Sequence, residues 1–375
     1  MRPQRRRVIK GINHHIIDYD VKYASHKRVA VGISEPLTYV SAVDIDITST
    51  YTDSCPEPKA HFFGKYFIVE IDRYQYFHTL HDKVGQYLAV KRFDPEVKLA
   101  LISSSFWNRA NDGYRYMKEI FELMEINPAD IIVLERYEGL FFEEVVYFYN
   151  KFSGLSASLP FVTSPFSNGA PGFNDVNDVI IEELRKLFLP HMLPKDDRHP
   201  DKIFISRSSR QDYMKQMISL MEEANWDNET YLDLAVVPLK KPKNGRDDID
   251  GDIQLLKERY FPEQESALMK ELEKLGYAII DVSGMSMIEQ MSLHFNATHV
   301  VAINGTGAYN IIFCKEDVKA TIINLSNYYG FCYEKLISLA LKQEWTPSYP
   351  KATPWNYIFP SDIEYLVRDY LKDRL

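Results

Sequence analysis

The sequence predicts a protein of the α/β class that is built from two domains. Two stretches of the chain alternate short apolar segments with amphipathic ones, as strands alternate with helices around a mostly parallel sheet. A polar segment, DDRHPDK, separates the two stretches and is typical of a hinge. At 375 residues, of which 45% are hydrophobic, the chain is long enough to bury two cores.

The first stretch begins after a strand-rich leader. Residues 27–50 are rich in valine, threonine and isoleucine with turn residues between them, which predicts short strands. Strand, helix, strand, helix and strand then follow from about residue 66, as YFIVEID, YFHTLHDKVGQYLAV, VKLALIS, DGYRYMKEIFELMEI and DIIVLE. The helix VNDVIIEELRKLFLPHMLP ends at prolines. We therefore expect an N-terminal Rossmann-like domain over residues 1–195.

The second stretch shows the alternation more clearly. Its segments are the strand KIFISR, the helix QESALMKELEKLG stopped by Gly276, the strand YAIIDV, the helix SMIEQMSLHF and the strands THVVAIN and ATIINL. Residues 211–263 interrupt it with polar material and a basic cluster, LKKPKNGRDDIDGD, which indicates an insertion. The expected second domain spans residues 196–335, and a helical extension covers residues 336–375.

Composition excludes some classes of function. The 44 basic and 53 acidic residues give a net charge of −9, which argues against a general binder of nucleic acid or anionic membranes and leaves a local basic groove open. The three cysteines fit neither a zinc module nor a disulfide framework, which favours a reducing compartment. No signal peptide or transmembrane run of about 20 apolar residues is visible, so we expect a soluble, cytoplasmic protein.

A strand that runs into two glycines is the strongest local signal. THVVAINGTGAYNIIF, residues 298–313, places Gly305 and Gly307 beyond the carboxyl end of a strand, where open α/β sheets bind ligands. Glycines there would let a nucleotide approach the backbone closely, although such a pair also serves turn geometry alone. The same edge receives Arg207 and Arg210 of ISRSSR, whose guanidiniums would suit a diphosphate or would simply be solvated.

A helix start lies between these two motifs. Ser286 and Glu289 match the S-x-x-E pattern of a capping box, which explains both residues without a ligand. Gln290, which follows them, is not needed for the cap.

The combination of these segments resembles the family 61 glycosyltransferases, also called the DUF563 or capsular polysaccharide biosynthesis family. That family has an arginine-rich strand end, an Asn-Glu pair, a glycine-aromatic strand, a serine and Glu-Gln helix, and a His-Gly-Ala-Gly-Leu-x-Asn loop. In this chain the loop is residues 304–310, with Asn304 in place of histidine and Thr306 in place of the first alanine. The Asn-Glu pair reads Gln264-Glu265.

The N-terminal half carries a second match. A Phe-His-Trp-Leu-x-Asp segment of the family corresponds to residues 77–82, FHTLHD, with Thr79 in place of tryptophan. The spacing of His78 and Asp82 puts them on one face of a helix. A histidine held by a neighbouring carboxylate at a domain surface is the alternative interpretation.

The resemblance implies a GT-B-like architecture, in which two Rossmann-like domains face a cleft and the C-terminal one binds the nucleotide-sugar. It further implies inverting transfer to an acceptor hydroxyl, with His78 or Asp82 as the base and no divalent metal or other cofactor required. The donor-binding residues that it implies are Arg207, Arg210, Glu265, Ser286, Glu289, Gln290, Asn304, Gly305, Thr306, Gly307 and Ala308.

Three alternatives remain open at this point. Asp44-Ile45-Asp46 and Asp248-Ile249-Asp250 mimic the metal-binding Asp-x-Asp of GT-A-type transferases, although acidic runs are usually solvated. A dinucleotide-dependent oxidoreductase would share the strand–glycine–helix pattern, but GxGxxG with its distant acidic residue is missing. A non-catalytic nucleotide- or carbohydrate-binding protein is the third. The acceptor is a polysaccharide, a lipid-linked glycan or a protein, and modified nucleic acid is left open.

Overall fold

The computed structural model of the chain comprises two compact units, Met1–Leu187 and Phe188–Leu375, and each is described by itself. The domain limits expected from the sequence stay a prediction. The structure describes residues 13–16, 21–33, 38–42, 58–70, 76, 78–104, 114–127, 131–134, 139–150, 173–223, 261–303, 306–323, 337, 340–342, 363 and 366–370.

A seven-stranded mixed sheet forms the centre of the N-terminal unit. Its strands are β1 (Asn13–Ile16), β2 (Val21–Ile33), β3 (Thr38–Ala42), β4 (Pro58–Glu70), β5 (Lys98–Ser104), β6 (Ile132–Leu134) and β7 (Gly139–Asn150). They are arranged in the order β1-β2-β7-β4-β5-β6, with β3 also paired to β2. Strands β7, β4, β5 and β6 run parallel, whereas β2 is antiparallel to β7, β1 and β3. The parallel part is compatible with a Rossmann-like fold.

The leader differs from the short strands expected for it. Strand β2 is 13 residues long and pairs with β7 from Val21 opposite Asn150 to Gly32 opposite Gly139. The sequence analysis missed β7 itself, GLFFEEVVYFYN, because two adjacent glutamates break its apolar alternation. The leader therefore extends the sheet with antiparallel strands.

Three helices accompany this sheet. The helix expected at YFHTLHDKVGQYLAV is π-helical over His78–Gly85 and becomes the α-helix α1 at Gln86–Phe93. Helix α2 spans Tyr114–Leu123, and α3 spans Phe173–Phe188. The structure thus confirms the helices at these places and adds a π-helical start that apolar periodicity did not predict.

Gly85 lies where the π-helical turn meets α3. Its backbone is right-handed helical, with φ −62° and ψ −41°, so its conformation does not require glycine. A Cβ at this position would lie 2.6 Å from Cγ2 of Ile180 and 3.1 Å from Cδ1 of Leu184. Both side chains are buried. Gly85 is therefore needed because α3 packs directly against its backbone.

The C-terminal unit contains a four-stranded, fully parallel sheet. Its strands are β8 (Lys202–Ser206), β9 (Ala278–Asp281), β10 (His299–Ile303) and β11 (Lys319–Ile323), in the order β11-β10-β8-β9. The chain starts at β8, crosses to β9 on one side, and then returns to β10 on the other side. This reversal makes the space beyond β8 and β10 the topological switch point of the sheet.

Helices connect these strands. Helix α4 spans Ser208–Glu223, α5 spans Pro262–Lys274 and α6 spans Met287–Asn296. Of these, α5 and α6 were expected, whereas α4 was not, because most of its sequence lies in the predicted polar insertion. A 3₁₀-helix covers Thr306–Phe313, and a π-helical turn covers Leu366–Tyr370. Gly276 has a φ of +81°, which fits the helix stop predicted there. Helix α4 occupies the first part of the expected insertion, whose residues 224–260 lie outside the described ones.

Leu193, just before the polar segment that was predicted as a hinge, is hydrogen-bonded to α6, and Asp201 of that segment is hydrogen-bonded to the residues that open β10. Ser292 Oγ accepts a hydrogen bond of 2.9 Å from the Leu193 amide, and Asn296 Nδ2 donates one of 3.0 Å to the Leu193 carbonyl. The Asp201 carbonyl accepts from the amide of Thr298 at 2.8 Å. This segment is therefore held by the C-terminal unit.

The close contact at Gly85 leads to a stability prediction. Gly85→Ala should lower the free energy of unfolding by about 1–3 kcal/mol, the usual cost of overpacking. The helix propensity of alanine, about 1 kcal/mol better than that of glycine, opposes this loss but does not cancel a contact of 2.6 Å. The measurement is the thermal midpoint of the full chain.

A second substitution provides the control. Ile180→Leu removes the β-branched methyl group that the new Cβ would strike, so the double variant should recover part of the lost midpoint. A Gly85→Ala protein as stable as wild type would show that α3 does not pack this closely.

Candidate functional site

The two motifs singled out in the second half of the sequence lie at neighbouring strand ends. Strands β8 and β10 pair in parallel with Ile205 opposite Ala302, so their last residues end side by side. The chain continues from β8 into residues 207–210, here called the arginine motif, and from β10 into residues 304–308, here called the glycine loop. Because connections leave this switch point in opposite directions, a crevice forms there in sheets of this order. The sheet topology therefore brings the two motifs together.

Glu265 organises the turn after β8. Its Oε1 accepts hydrogen bonds from the Arg207 amide at 2.5 Å and from Ser206 Oγ at 3.3 Å. The side chain is buried, and its Oε2 has no hydrogen-bond partner among the described residues. Burial raises the pKa of the Glu265 carboxyl more than the Arg207 hydrogen bond lowers it. The glutamate thus acts on the backbone of the arginine motif.

The Arg207 side chain is placed by an aromatic ring. Its guanidinium lies 5.7 Å from the centroid of the Phe261 ring, an arrangement typical of a cation–π contact. Gln211 Oε1 accepts a hydrogen bond of 3.1 Å from the Phe261 amide, which joins the start of α5 to the first turns of α4. Arg207 is half-buried and keeps its charge near the switch point.

Asp281, at the carboxyl end of β9, was missed by the sequence analysis. Its Oδ2 accepts from the Ser209 amide at 3.3 Å, and its Oδ1 accepts from Ser209 Oγ at 3.1 Å and from the Ser283 amide at 2.8 Å. Burial tends to raise the pKa of this carboxyl, but the hydrogen bonds from Ser283 and Ser209 outweigh it and the pKa is lowered. An acidic residue at a strand end was the available signal.

The amides at the start of α4 are consequently occupied by the protein itself. Glu265 accepts from Arg207 N, Ser206 Oγ accepts from Ser208 N at 3.1 Å, and Asp281 accepts from Ser209 N. Two carboxylates at this helix start also oppose the approach of an anion. A phosphate at the switch point would therefore depend on the glycine loop and on side-chain cations.

The capping box predicted at the start of α6 is confirmed. Ser286 Oγ accepts from the Glu289 amide at 3.2 Å, and Glu289 Oε2 accepts from the Ser286 amide at 2.7 Å. Gln290 is used differently. Its Nε2 donates to the carbonyls of Val282 at 3.3 Å and Met285 at 3.2 Å, while its Oε1 accepts from Asn310 Nδ2 at 3.4 Å.

The 3₁₀-helix after β10 carries the second half of the glycine loop. Ala308 is buried, and a Cβ added to Gly307 would lie 3.8 Å from Cγ2 of Ile205 with no nearer atom among the described residues. That is an ordinary van der Waals distance, and the φ of Gly307 lies outside the left-handed region. Among the described residues, neither packing nor backbone conformation therefore requires glycine at this position.

Several of the predicted site residues are described by their backbone alone or lie outside the described residues. The structure describes the backbones of His78 and Asp82 on the π-helical turn and of Arg210 and Thr306, but not their side chains. Asn304 and Gly305 lie outside the described residues, as do both Asp-x-Asp segments. Within the described part of the chain, no group of three His, Cys, Asp or Glu side chains is placed to hold a metal ion. No helix in that part has the length and apolar character needed to cross a membrane.

One comparison with known families bears on this geometry. Residues 257–323 match the family model Glycosyltransferase 61. The resemblance to the family 61 glycosyltransferases is thereby confirmed over this segment, which runs from just before α5 to the end of β11. It contains Glu265, the capping box, Gln290 and the glycine loop, and it supports a glycosyltransferase. No curated protein matches the chain.

The raised pKa of Glu265 predicts a pH-dependent stability difference. A carboxyl whose pKa is higher in the folded than in the unfolded chain stabilises the fold fully below its unfolded value, near 4.5, and loses this contribution as the pH rises through the folded value. The thermal midpoint of wild type minus that of Glu265→Gln should therefore fall as the pH is raised from 4 to 8.

A difference for Glu265→Gln that grew with pH would mean that Glu265 is stabilised as a carboxylate.

Proposed function

We propose that the C-terminal unit binds a nucleotide-sugar beyond the carboxyl ends of β8 and β10, and that the chain transfers the sugar to a hydroxyl. The acceptor is a glycan, a polysaccharide or another macromolecule. One observation carries this proposal: the arginine motif and the glycine loop, far apart in sequence, follow neighbouring strands at the switch point. The match to Glycosyltransferase 61 covers the glycine loop and supports the reaction class.

Diphosphate recognition is assigned to the β10 side of the crevice. The α4 amides already have acceptors in Glu265, Ser206 and Asp281. We assign the anion to the loop of residues 304–308 and to the guanidiniums of Arg207 and Arg210. Arginine suits a diphosphate because its forked donors bind two oxygens at once. We propose that these groups replace a divalent metal.

Gly307 supports close approach of the ligand to this loop. The fold leaves room for a Cβ at this residue, so its lack of a side chain has no explanation in the internal packing of the described residues. A diphosphate that contacts the loop backbone would occupy that room.

The transfer step needs a base for the acceptor. Its hydroxyl oxygen attacks the anomeric carbon in line with the bond to the diphosphate, which breaks, and the hydroxyl proton passes to the base. This displacement inverts the configuration at the anomeric carbon. We propose His78 for this role with Asp82 orienting it, on the family resemblance of FHTLHD. A GT-B arrangement of the two units is part of this proposal and rests on the same resemblance.

A non-catalytic binder of nucleotide or carbohydrate is the second candidate. It is favoured by Asn304 and Thr79, which replace the histidine and the tryptophan of the family motifs. It would bind the nucleotide-sugar without turnover.

The proposal predicts that a nucleoside diphosphate alone raises the thermal midpoint of the purified chain. A ligand at one hundred times its Kd stabilises the native state by about 2.7 kcal/mol. We expect UDP, GDP, CDP or ADP to produce the shift, and we expect the shift to persist in EDTA. Loss of the shift on chelation would favour the GT-A-type alternative, and a shift with NAD alone would favour the oxidoreductase.

Two glycine variants locate the ligand. Gly307→Ala should leave the midpoint of the free protein unchanged and abolish the nucleotide shift. Gly276→Ala should do the reverse, because its φ of +81° makes alanine costly by about 1 kcal/mol while it lies in the turn before β9. A full nucleotide shift in Gly307→Ala would place the ligand elsewhere.

The catalytic assignment predicts a separation of turnover from affinity. His78→Ala should lower the rate of sugar transfer about 10²-fold, the usual contribution of a general base, while the Kd for the nucleoside diphosphate stays unchanged. The measurement is donor consumption with a panel of glycan acceptors. Equal turnover in wild type and variant would remove His78 from this role, and no turnover in wild type would favour the non-catalytic binder.

A further inference from the structure

The Gln290 side chain connects two loops that are distant in sequence. Its Nε2 donates to the carbonyls of Val282 and Met285, so two acceptors fix the orientation of its amide. The Oε1 must then point the other way, where it accepts from Asn310 Nδ2. Asn310 is buried in the 3₁₀-helix, and Val282 and Met285 lie in the loop between β9 and α6.

This contact spans the switch point. Strands β9 and β10 lie on opposite sides of β8, and the loops joined by Gln290 follow β9 and β10. The side chain projects from the second turn of a helix whose start is fixed by the capping box. The Gln290 carbonyl also accepts a hydrogen bond of 2.7 Å from Nδ1 of the buried His294. A rigid element therefore presents the side chain that joins the two loops.

Both donor hydrogens of the Gln290 amide are used by the protein, and its oxygen already has one donor. Little hydrogen-bonding capacity is left for a ligand. A direct contact of Gln290 with the donor, as the family resemblance implies, therefore has less support than a role in holding the loops.

We infer that Gln290 is a positioning residue for the nucleotide site, and that with Asn310 it fixes the glycine loop against the loop that follows β9. This inference rests on the proposed function. The pair fixes the 3₁₀-helix that carries the backbone amides of residues 306–308, and a preformed loop binds a diphosphate without an ordering cost. Losing the pair should weaken nucleotide binding although neither side chain touches the ligand.

Two isosteric substitutions break the contact. Gln290→Glu replaces the donor that faces two carbonyls by an oxygen, and Asn310→Asp replaces the donor that faces the Gln290 oxygen. Each should raise the Kd for the nucleoside diphosphate that shifts wild type most, by about tenfold or more. Each should also speed amide hydrogen exchange, without nucleotide, in peptides that cover residues 282–286 and 304–313. The exposed Gln216→Glu in α4 introduces the same charge change and should alter neither quantity.

A charge-compensated double variant provides the rescue. In Gln290→Lys combined with Asn310→Asp, an ammonium group has three donors for the two carbonyls and the new carboxylate. Slow exchange in both loops and most of the nucleotide affinity should return. A residue that contacts the ligand directly would not be replaced in this way by a lysine that is engaged with the protein.

The outcomes separate this inference from the proposed function. Weaker binding with unchanged exchange in Gln290→Glu would show direct ligand contact and overturn the positioning role. Unchanged affinity in the single variants would overturn it as well. If wild type bound no nucleoside diphosphate, the proposed function would fail together with the effect on affinity. Hydrogen exchange in the free protein would still show whether Gln290 holds the two loops.

Discussion

The parallel pairing of β8 with β10 is the constraint on which the C-terminal unit depends. Parallel strands need crossover connections, because every strand must begin at the same end of the sheet. The segments that follow the strands therefore all lie at the carboxyl ends of the strands. Because β9 precedes β10 in sequence but lies on the other side of β8, the connections part beyond β8 and β10. Every feature assigned to the nucleotide site follows from this order.

The carboxyl ends of these strands form two regions that differ in their charged groups. On the α4 side, the carboxylates of Glu265 and Asp281 accept the amides that a helix start would otherwise offer to an anion. On the β10 side, the glycine loop leads into a short 3₁₀-helix, and the neutral amide of Gln290 accepts a hydrogen bond from Asn310 of that helix. Glu265 and Asp281 therefore organise the backbone of the arginine motif. Because they occupy its amides, our proposal places the anion at the glycine loop.

The sequence predicted the strands β8 to β11 and the helices α5 and α6 well, because each is short, regular and bounded by a local signal such as Gly276 after α5 or the capping box of Ser286 before α6. It missed α4, whose polar sequence has little apolar periodicity. It predicted the N-terminal sheet less well. Strand β7 and the length of β2 depend on pairing with each other, and pairing between distant segments leaves no local pattern. The same reason applies to the site: residue types indicated Arg207, but only the strand order shows what it lies beside. The contact of Arg207 with the Phe261 ring and the hydrogen bonds by which Gln290 joins two loops likewise depend on tertiary structure.

Two glycines illustrate why a binding site has to be argued from the structure as well as from a sequence motif. In the sequence, Gly85 lies inside a predicted helix and Gly307 lies in a loop after a strand, and neither pattern shows what surrounds the glycine. In the structure, a Cβ at Gly85 would collide with Ile180, so packing within the N-terminal unit explains that residue. A Cβ at Gly307 would meet only an ordinary contact, so the described packing does not explain it. Because Gly307 lies at the switch point, where sheets of this order bind ligands, our proposal assigns the space beside it to the nucleotide.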